Sequence, residues 1–386
     1  MNSTENRMNN TPALLTGALA FFFLSLIFLV TPAYAQTLKQ MPEPPPVPRL
    51  KPKPTPTPKP TPTPEYEVIR TTSNLVVVPV SVTDAQGQPV LGLTQNDFHV
   101  AEDGRPQEIA QMGEAGQVPL DIAMLVDVSS SVSERFVFEE QAATRFLRQV
   151  LKPTDSATVF AIDSEPRLIQ ASTTAENAAT KLLTLQAATK PSPTAFYDTV
   201  IAASQYLSKN TPEQHRRVIV VISDGEDNFS NLVRDSAIAA YQATQNEDSS
   251  PAGRARIRSA SENALQEGHR KALAKVQREV QTANAVFYSI NPSGESIKLN
   301  IISTRAQDRM EQLALATGGS AWVPERLENL EAVFARIANE LRAQYLIQYY
   351  SNNESSSREF RHISISTPSQ RQFRIRAREG YYPKQK

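Results

Sequence analysis

The stretch Asp127-Val128-Ser129-Ser130-Ser131 places one carboxylate and three hydroxyls directly after the apolar run LDIAMLV. Buried without partners, the neutral groups alone would cost on the order of 2–7 kcal/mol, so backbone amides, a phosphate or a metal ion must satisfy them. Taken alone, the motif fits the cap of a following helix as well as it fits a metal, because Ser and Asp side chains accept from the first amides of a helix. Two other stretches favour the metal. SPTAFYD puts Thr194 where a loop meets a helix starting near Phe196, and VIVVISDGEDN puts Asp224 at the end of a second apolar run. Asp127, Ser129, Ser131, Thr194 and Asp224 together offer only hydroxyl and carboxylate oxygens. Such donors suit Mg²⁺, Mn²⁺ or Ca²⁺ rather than zinc, and so few charges leave water around the ion, as Mg²⁺ prefers. Nearby Ser130, Glu226, Asp227 and Asn228 read as solvated rim residues, and Asp163 and Asp198 as caps or loop-orienting groups.

These oxygens matter only if the chain brings them to one place. Residues 120–126, 157–162, 218–222 and 285–290 are apolar runs, as expected of parallel strands covered on both faces. Helical patterns alternate with them. One puts Ala143, Phe146, Leu147, Val150 and Leu151 on a single face, and another does so with Leu327, Leu330, Phe334, Ile337 and Leu341. This alternation predicts an α/β fold with a doubly wound, mostly parallel sheet, whose ligands bind at the carboxyl ends of the strands.

The flanks read differently. Valines at 76, 78, 80 and 82 alternate before a turn at Gly87, and Asp103-Gly104 marks a hairpin. Pro79 within the first of these runs predicts an edge strand. After Ala343 come QYLIQYY, REFRHISIS and QFRIRAREGYY, again strand-like. Neither flank has enough strands to bury a core alone. Residues 66–115 and 344–386 are therefore expected to pack as one small antiparallel β domain, with the α/β body (116–343) inserted between them. Arg374, Arg376 and Arg378 alternate with Phe373, Ile375 and Ala377, which reads as a solvated sheet face rather than a docking stripe for an anionic polymer. Residues 242–271 have mixed charge and few large apolar side chains, and read as a surface insertion that extends the helices beside it.

With the DxSxS motif, the later threonine in PTAFYD and SDGEDN in view, the α/β body resembles von Willebrand factor type A domains and their metal-ion-dependent adhesion site. The flanking LVVVPVSVTDAQGQPVLGLTQNDFHVAEDGRPQEI and the ending RIRAREGYY resemble the narrower "VWFA-related" proteins of acidobacteria and their relatives. The resemblance implies that Ser129 and Ser131 bind the metal directly. Thr194 would bind directly or through water, and Asp127 and Asp224 mainly through water. It also implies that an acidic residue of a protein partner completes the coordination. The threonine follows Pro-Ser-Pro, where relatives commonly have glycines, so its loop is expected to be stiffer.

The whole chain narrows the function classes. Its 386 residues balance 40 Lys and Arg against 40 Asp and Glu, so no global field recruits nucleic acid. The absence of cysteine removes disulfides and thiolate chemistry. Residues 13–30 are apolar, with Arg7 before and Ala33-Tyr34-Ala35 after, which reads as a signal peptide (1–35) or an uncleaved membrane anchor. Export to the periplasm or cell surface follows in either case. Residues 36–65 form a linker, and half of the residues between 41 and 64 are proline, so roughly 75 Å of semi-rigid spacer is expected. A hydrolase would need a base beside Ser129 or Ser131. None of His99, His215, His269 and His362 falls at the end of a predicted parallel strand, and neither a G-x-S-x-G elbow nor a P-loop occurs. The expectation is a non-enzymatic binding module for adhesion or envelope scaffolding. A purely structural envelope protein and, further off, a metal-dependent hydrolase are the alternatives.

Overall fold

The computed structural model describes residues 75–383, apart from 133–134, 248, 294–300, 354, 356 and 369–372. The apolar segment at 13–30, its cleavage pattern and the proline-rich linker lie outside the described residues. Among those described, no helix is long and apolar enough to cross a membrane.

Four strands come first: β1 (Leu75–Thr83), β2 (His99–Glu102), β3 (Arg105–Gln107) and β4 (Ile109–Glu114). Asp103 and Gly104 turn the chain between β2 and β3 at φ 48° and 77°, the left-handed pair that a two-residue hairpin requires. The α/β body follows with β5 (Leu120–Asp127), α1 (Phe136–Val150), β6 (Ser156–Ile162), β7 (Pro166–Thr173), α2 (Ala175–Leu182), α3 (Phe196–Asn210) and β8 (Arg216–Ile222). It continues with α4 (Asn231–Ala243), α5 (Pro251–Thr282), β9 (Ala285–Ile290), α6 (Ile301–Thr317), β10 (Ala321–Trp322) and α7 (Leu330–Ala343). The chain ends in β11 (Tyr345–Tyr350), β12 (Arg361–Ser366), β13 (Arg374–Arg376) and β14 (Gly380–Tyr381).

The central sheet has the order β10-β9-β8-β5-β6-β7, parallel except for β7. Every residue of β5 is buried, and its side chains divide between two cores by the period of two that a strand imposes. Ile122, Met124 and Val126 meet the apolar faces of α1 and α7, while Ala123 and Leu125 meet α3, α5 and α6. This is the α/β fold with a mostly parallel sheet that the alternating pattern predicts. Residues 242–271 are the end of α4, a short connection and the first part of α5. Ser250 opens α5 by accepting the Gly253 amide, and Pro251 follows at the first helical position, where its missing amide is no loss.

Two antiparallel sheets flank this body, in the orders β13-β1-β11-β4 and β14-β12-β2-β3. Each therefore mixes strands from before and after the α/β body. Val76, Val78, Val80 and Val82 of β1 join Phe98, Val100, Ile347, Tyr349 and Ile363 in one apolar cluster.

Two expectations are corrected here. β1 is an inner strand, with β11 on one side and β13 on the other. Pro79 is tolerated because β13 pairs only with Ser81–Thr83, leaving that side of β1 without a ladder partner at position 79 among the described residues. The arginine row is not a solvated face either. Arg374 is exposed, but Arg376 bonds Glu340 of α7, and the buried Arg378 donates to the Val77 carbonyl at 2.9 Å and to Asn284. Helices of the α/β body cover what an isolated hairpin would leave wet.

Candidate metal centre

In the central sheet β5 has β6 on one side and β8 on the other. The chain leaving β5 goes through α1 to β6, and the later crossover through α3 returns on the opposite side to β8. Loops from β5 and β8 thus diverge, and a crevice opens outside their carboxyl ends.

Asp127 is the last residue of β5 and is fully buried. Its Oδ1 accepts the Ser129 amide at 2.8 Å, and its Oδ2 accepts the Ser223 hydroxyl at 2.7 Å. Ser223 Oγ in turn accepts the Gly225 amide at 2.9 Å. Asp224, between them, is half-buried, and its Oδ1 accepts the Glu226 amide at 3.1 Å. Gly225 makes this turn at φ 75°, where a side chain is strained. The Thr194 amide donates to Asn228 Oδ1 at 2.8 Å, and its carbonyl accepts the Asn228 and Phe229 amides, each at 3.1 Å. The next amide, of Ala195, donates to the Asp163 carbonyl at 2.8 Å. The threonine loop is thereby laced to the ends of both β6 and β8. Ser129 and Thr194 are each 6% exposed, and Ser131 stands in the 3-10 turn Ser130–Val132.

Electrostatics mark the same place. Burial, then the charge of Asp224, pushes the Asp127 pKa up to about 6, and hydrogen bonds from Ser129 and Ser223 only partly offset this. Glu139, in the first turn of α1, is pushed up to about 8, first by burial. Arg135, with Nε 3.7 Å from Oε1, pulls it down, while Asp127 and Asp224 push it further up. Carboxyl groups are thus crowded where little water reaches and resist ionising, and a cation at such a place would favour their charged forms. Among the described residues no group of three or more His, Cys, Asp and Glu could hold a metal. A cation here would depend on hydroxyl oxygens and water as much as on carboxylates, and the donor set fits a hard divalent ion.

Residues 122–226, from β5 through Asp224, match the von Willebrand factor type A domain family. The chain carries a von Willebrand factor type A domain. Among solved structures it is similar to the conserved hypothetical protein BatB from Bacteroides thetaiotaomicron, with 12% identity over 57% of this chain and 98% of that one, at a TM-score of 0.35. The vWF domain of the type V pili tip protein Mfa5 from Porphyromonas gingivalis shares 14% identity over 57% of this chain and 94% of its own, at 0.39. Proximal thread matrix protein 1 from the mussel byssus, in a form with a zinc-occupied MIDAS motif, shares 10% over 62%, at 0.39, and the chain spans half of it (50%). No curated protein matches the chain.

Within the von Willebrand factor type A domain, several neighbours of the candidate ligands differ from the sequence reading. Asp227 is not a solvated rim residue. It is 6% exposed and accepts the Tyr197 amide at 2.9 Å, the Ser230 amide at 3.0 Å and the Ser230 hydroxyl at 2.5 Å, clamping the starts of α3 and α4. Asn228 is exposed as expected, yet its side chain holds Thr194. Asp198 does cap α4, accepting the Asn231 amide at 2.9 Å, and Asp163 accepts the Ser164 amide at 2.7 Å. Ser223 and Glu139 escaped the sequence reading. Nothing local to Ser223 marks it as more than a residue at a strand end. Glu139 left a legible trace, since it precedes Ala143 by four and Phe146 by seven on the buried stripe of α1. The histidines lie elsewhere. His215 precedes β8 and meets Asp121 at 2.6 Å, His269 of α5 meets Tyr197 at 3.2 Å, and His99 and His362 belong to β2 and β12.

Proposed function

We propose that this chain is an exported, non-enzymatic module that binds a protein partner through a divalent cation, Mg²⁺ or Mn²⁺, for adhesion or envelope scaffolding. Ser129 and Ser131 supply direct hydroxyl ligands, Thr194 binds directly or through water, and Asp127 and Asp224 orient the hydroxyls and bind mainly through water. The observation that carries this reading is Asp127: buried at the switch point, beside the charge of Asp224, with its oxygens already directed to Ser129 and Ser223. When bound, the cation supplies an electrophilic position, because hydroxyls do not neutralise it and an incoming carboxylate can. The partner accordingly presents an Asp or Glu. Export is supported by the apolar run at 13–30 and the small-x-small pattern Ala33-Tyr34-Ala35, and the proline-rich linker holds the rim away from a membrane or wall.

The test is affinity capture from an envelope extract with wild type and Asp127→Ala, each with and without chelator. A partner lost on chelation and equally lost in Asp127→Ala is the expected result. Capture that is unchanged in excess chelator overturns the reading and leaves the structural-scaffold alternative, with the antiparallel sheets as the contact surface.

A further inference from the structure

Glu139 is a conspicuous orphan. It is 0% exposed, and among the described residues neither of its carboxyl oxygens accepts a hydrogen bond. Its nearest recorded cation, Arg135 Nε, stands 3.7 Å from Oε1, beyond hydrogen-bond reach. A buried carboxyl normally finds donors, because leaving it bare forfeits its hydration without replacement. Evolution of a packed helix could have put a leucine or alanine at this stripe position, as at Ala143, Phe146 and Leu147. Something else must use these oxygens.

The helix geometry says where they point. Side chains in an α-helix lean towards its N-terminus, over the preceding turn. Glu139 sits in the first turn of α1, so the preceding chain is the loop that carries Ser129 and Ser131. Both Asp127 and Asp224 are close enough to raise its pKa, and these two stand at the ends of different strands. Glu139 is thus a buried group in the turn that follows the Ser129–Ser131 loop, near both carboxylates.

We propose that Glu139 is a positioning residue of the metal centre, whose carboxylate accepts hydrogen bonds from water carried by the cation and faces it from beneath. The inference rests on the metal reading of Asp127, Ser129, Ser131, Thr194 and Asp224, and adds a sixth residue with a separate role. It accounts for two oxygens that no described donor satisfies, on a carboxyl whose helix neighbours at 143, 146 and 150 are apolar. It also gives the partly water-bound ion a buried acceptor, so that its water is oriented by the protein and the outward position stays open for the partner. Arg135 is half-buried and bonded to Ser293 at 3.1 Å, with its Nε 3.7 Å from Glu139.

The experiment is a calorimetric titration of the full chain with Mn²⁺, comparing wild type, Glu139→Gln, Glu139→Leu and Asp224→Ala, together with melting of each in chelator. Removing a residue that orients metal-bound groups typically weakens affinity by about 10- to 100-fold. A loss of that size in both Glu139 variants, with metal-free melting unchanged or raised, is the expected result. A residue that merely packs would do the reverse, lowering the metal-free melting point and leaving Mn²⁺ affinity alone. Wild-type affinity in Glu139→Gln, with binding lost in Asp224→Ala, overturns this inference and spares the site. Wild-type affinity in Asp224→Ala, or no binding by wild type, overturns the site itself and the role of Glu139 with it.

Discussion

Ser223 and Asp127, 96 positions apart in the chain, are joined by a 2.7 Å hydrogen bond between the ends of the neighbouring parallel strands β8 and β5. The hydroxyl that orients Asp127 therefore comes from the same loop that carries Asp224. Whatever moves one carboxylate is transmitted to the other.

Ser223→Ala should accordingly cost more than its size suggests. It leaves Oδ2 of a fully buried carboxylate without its donor, a loss of about 1–3 kcal/mol. Urea unfolding of the metal-free protein measures this, and a midpoint equal to wild type would show that the bond contributes nothing.

Metal should stabilise the native chain by mass action, by about 2.7 kcal/mol when the free ion exceeds its dissociation constant a hundredfold. Ser129→Ala and Asp224→Ala should remove that stabilisation while leaving the fold intact by circular dichroism. Melting with and without millimolar Mg²⁺ is the measurement. Identical shifts in wild type and both variants would refute the ligand assignment.

Without metal, Glu139 makes stability depend on pH. Burial first, and then Asp127 and Asp224, lift its pKa from 4.5 to about 8 in the folded chain. The folded state thus keeps a proton that the unfolded state has lost. Its contribution is full below about pH 4.5 and is lost as pH rises through about 8. The slope is on the order of 1.4 kcal/mol per pH unit between these values. Urea midpoints in chelator should fall from pH 5 to pH 8 in wild type, and fall much less in Glu139→Gln.

Between the antiparallel sheets, Glu102 is buried and accepts from Tyr349 at 2.9 Å, Ser351 at 2.7 Å, Tyr381 at 3.1 Å and Arg361 at 3.2 Å. Arg361→Met should cost about 3–5 kcal/mol, because it strands a buried carboxylate. Changing Glu102 to Gln in the same chain should recover part of that loss. Guanidinium unfolding of the two singles and the double reads the coupling, and strict additivity would mean that the pair does not interact.

The central strands were legible because runs such as 218–222 are apolar at every position, a pattern that suits a doubly covered sheet. The positions of Asp127 and Asp224 were legible for a related reason, since each follows such a run, whereas Thr194 was placed only by the helix that starts at Phe196. What stayed hidden depended on contacts from distant segments. Nothing local to Asp227 says that the amides of Tyr197 and Ser230 will enclose it. Alternation at Phe373–Arg378 shows two faces but cannot say that α7 will bring Glu340 to Arg376. Pro79 forbids one ladder bond, and the short reach of β13 leaves room for that without an edge strand.

The α/β body leaves and re-enters the antiparallel sheets at one place, where the Ala115 amide donates to the Gln344 carbonyl at 3.1 Å. From there β11 runs beside β1, with Val80 opposite Tyr345 and Leu75 opposite Tyr350. Opposed forces along the strands, one on β1 at Leu75 and the other on β11 at Tyr345, would drag the two lengthwise past each other. Their paired positions then bear the load together, whereas strands peeled from one end give way bond by bond. Loaded in that direction, the ladder would act as a shear joint, the strong direction of a sheet.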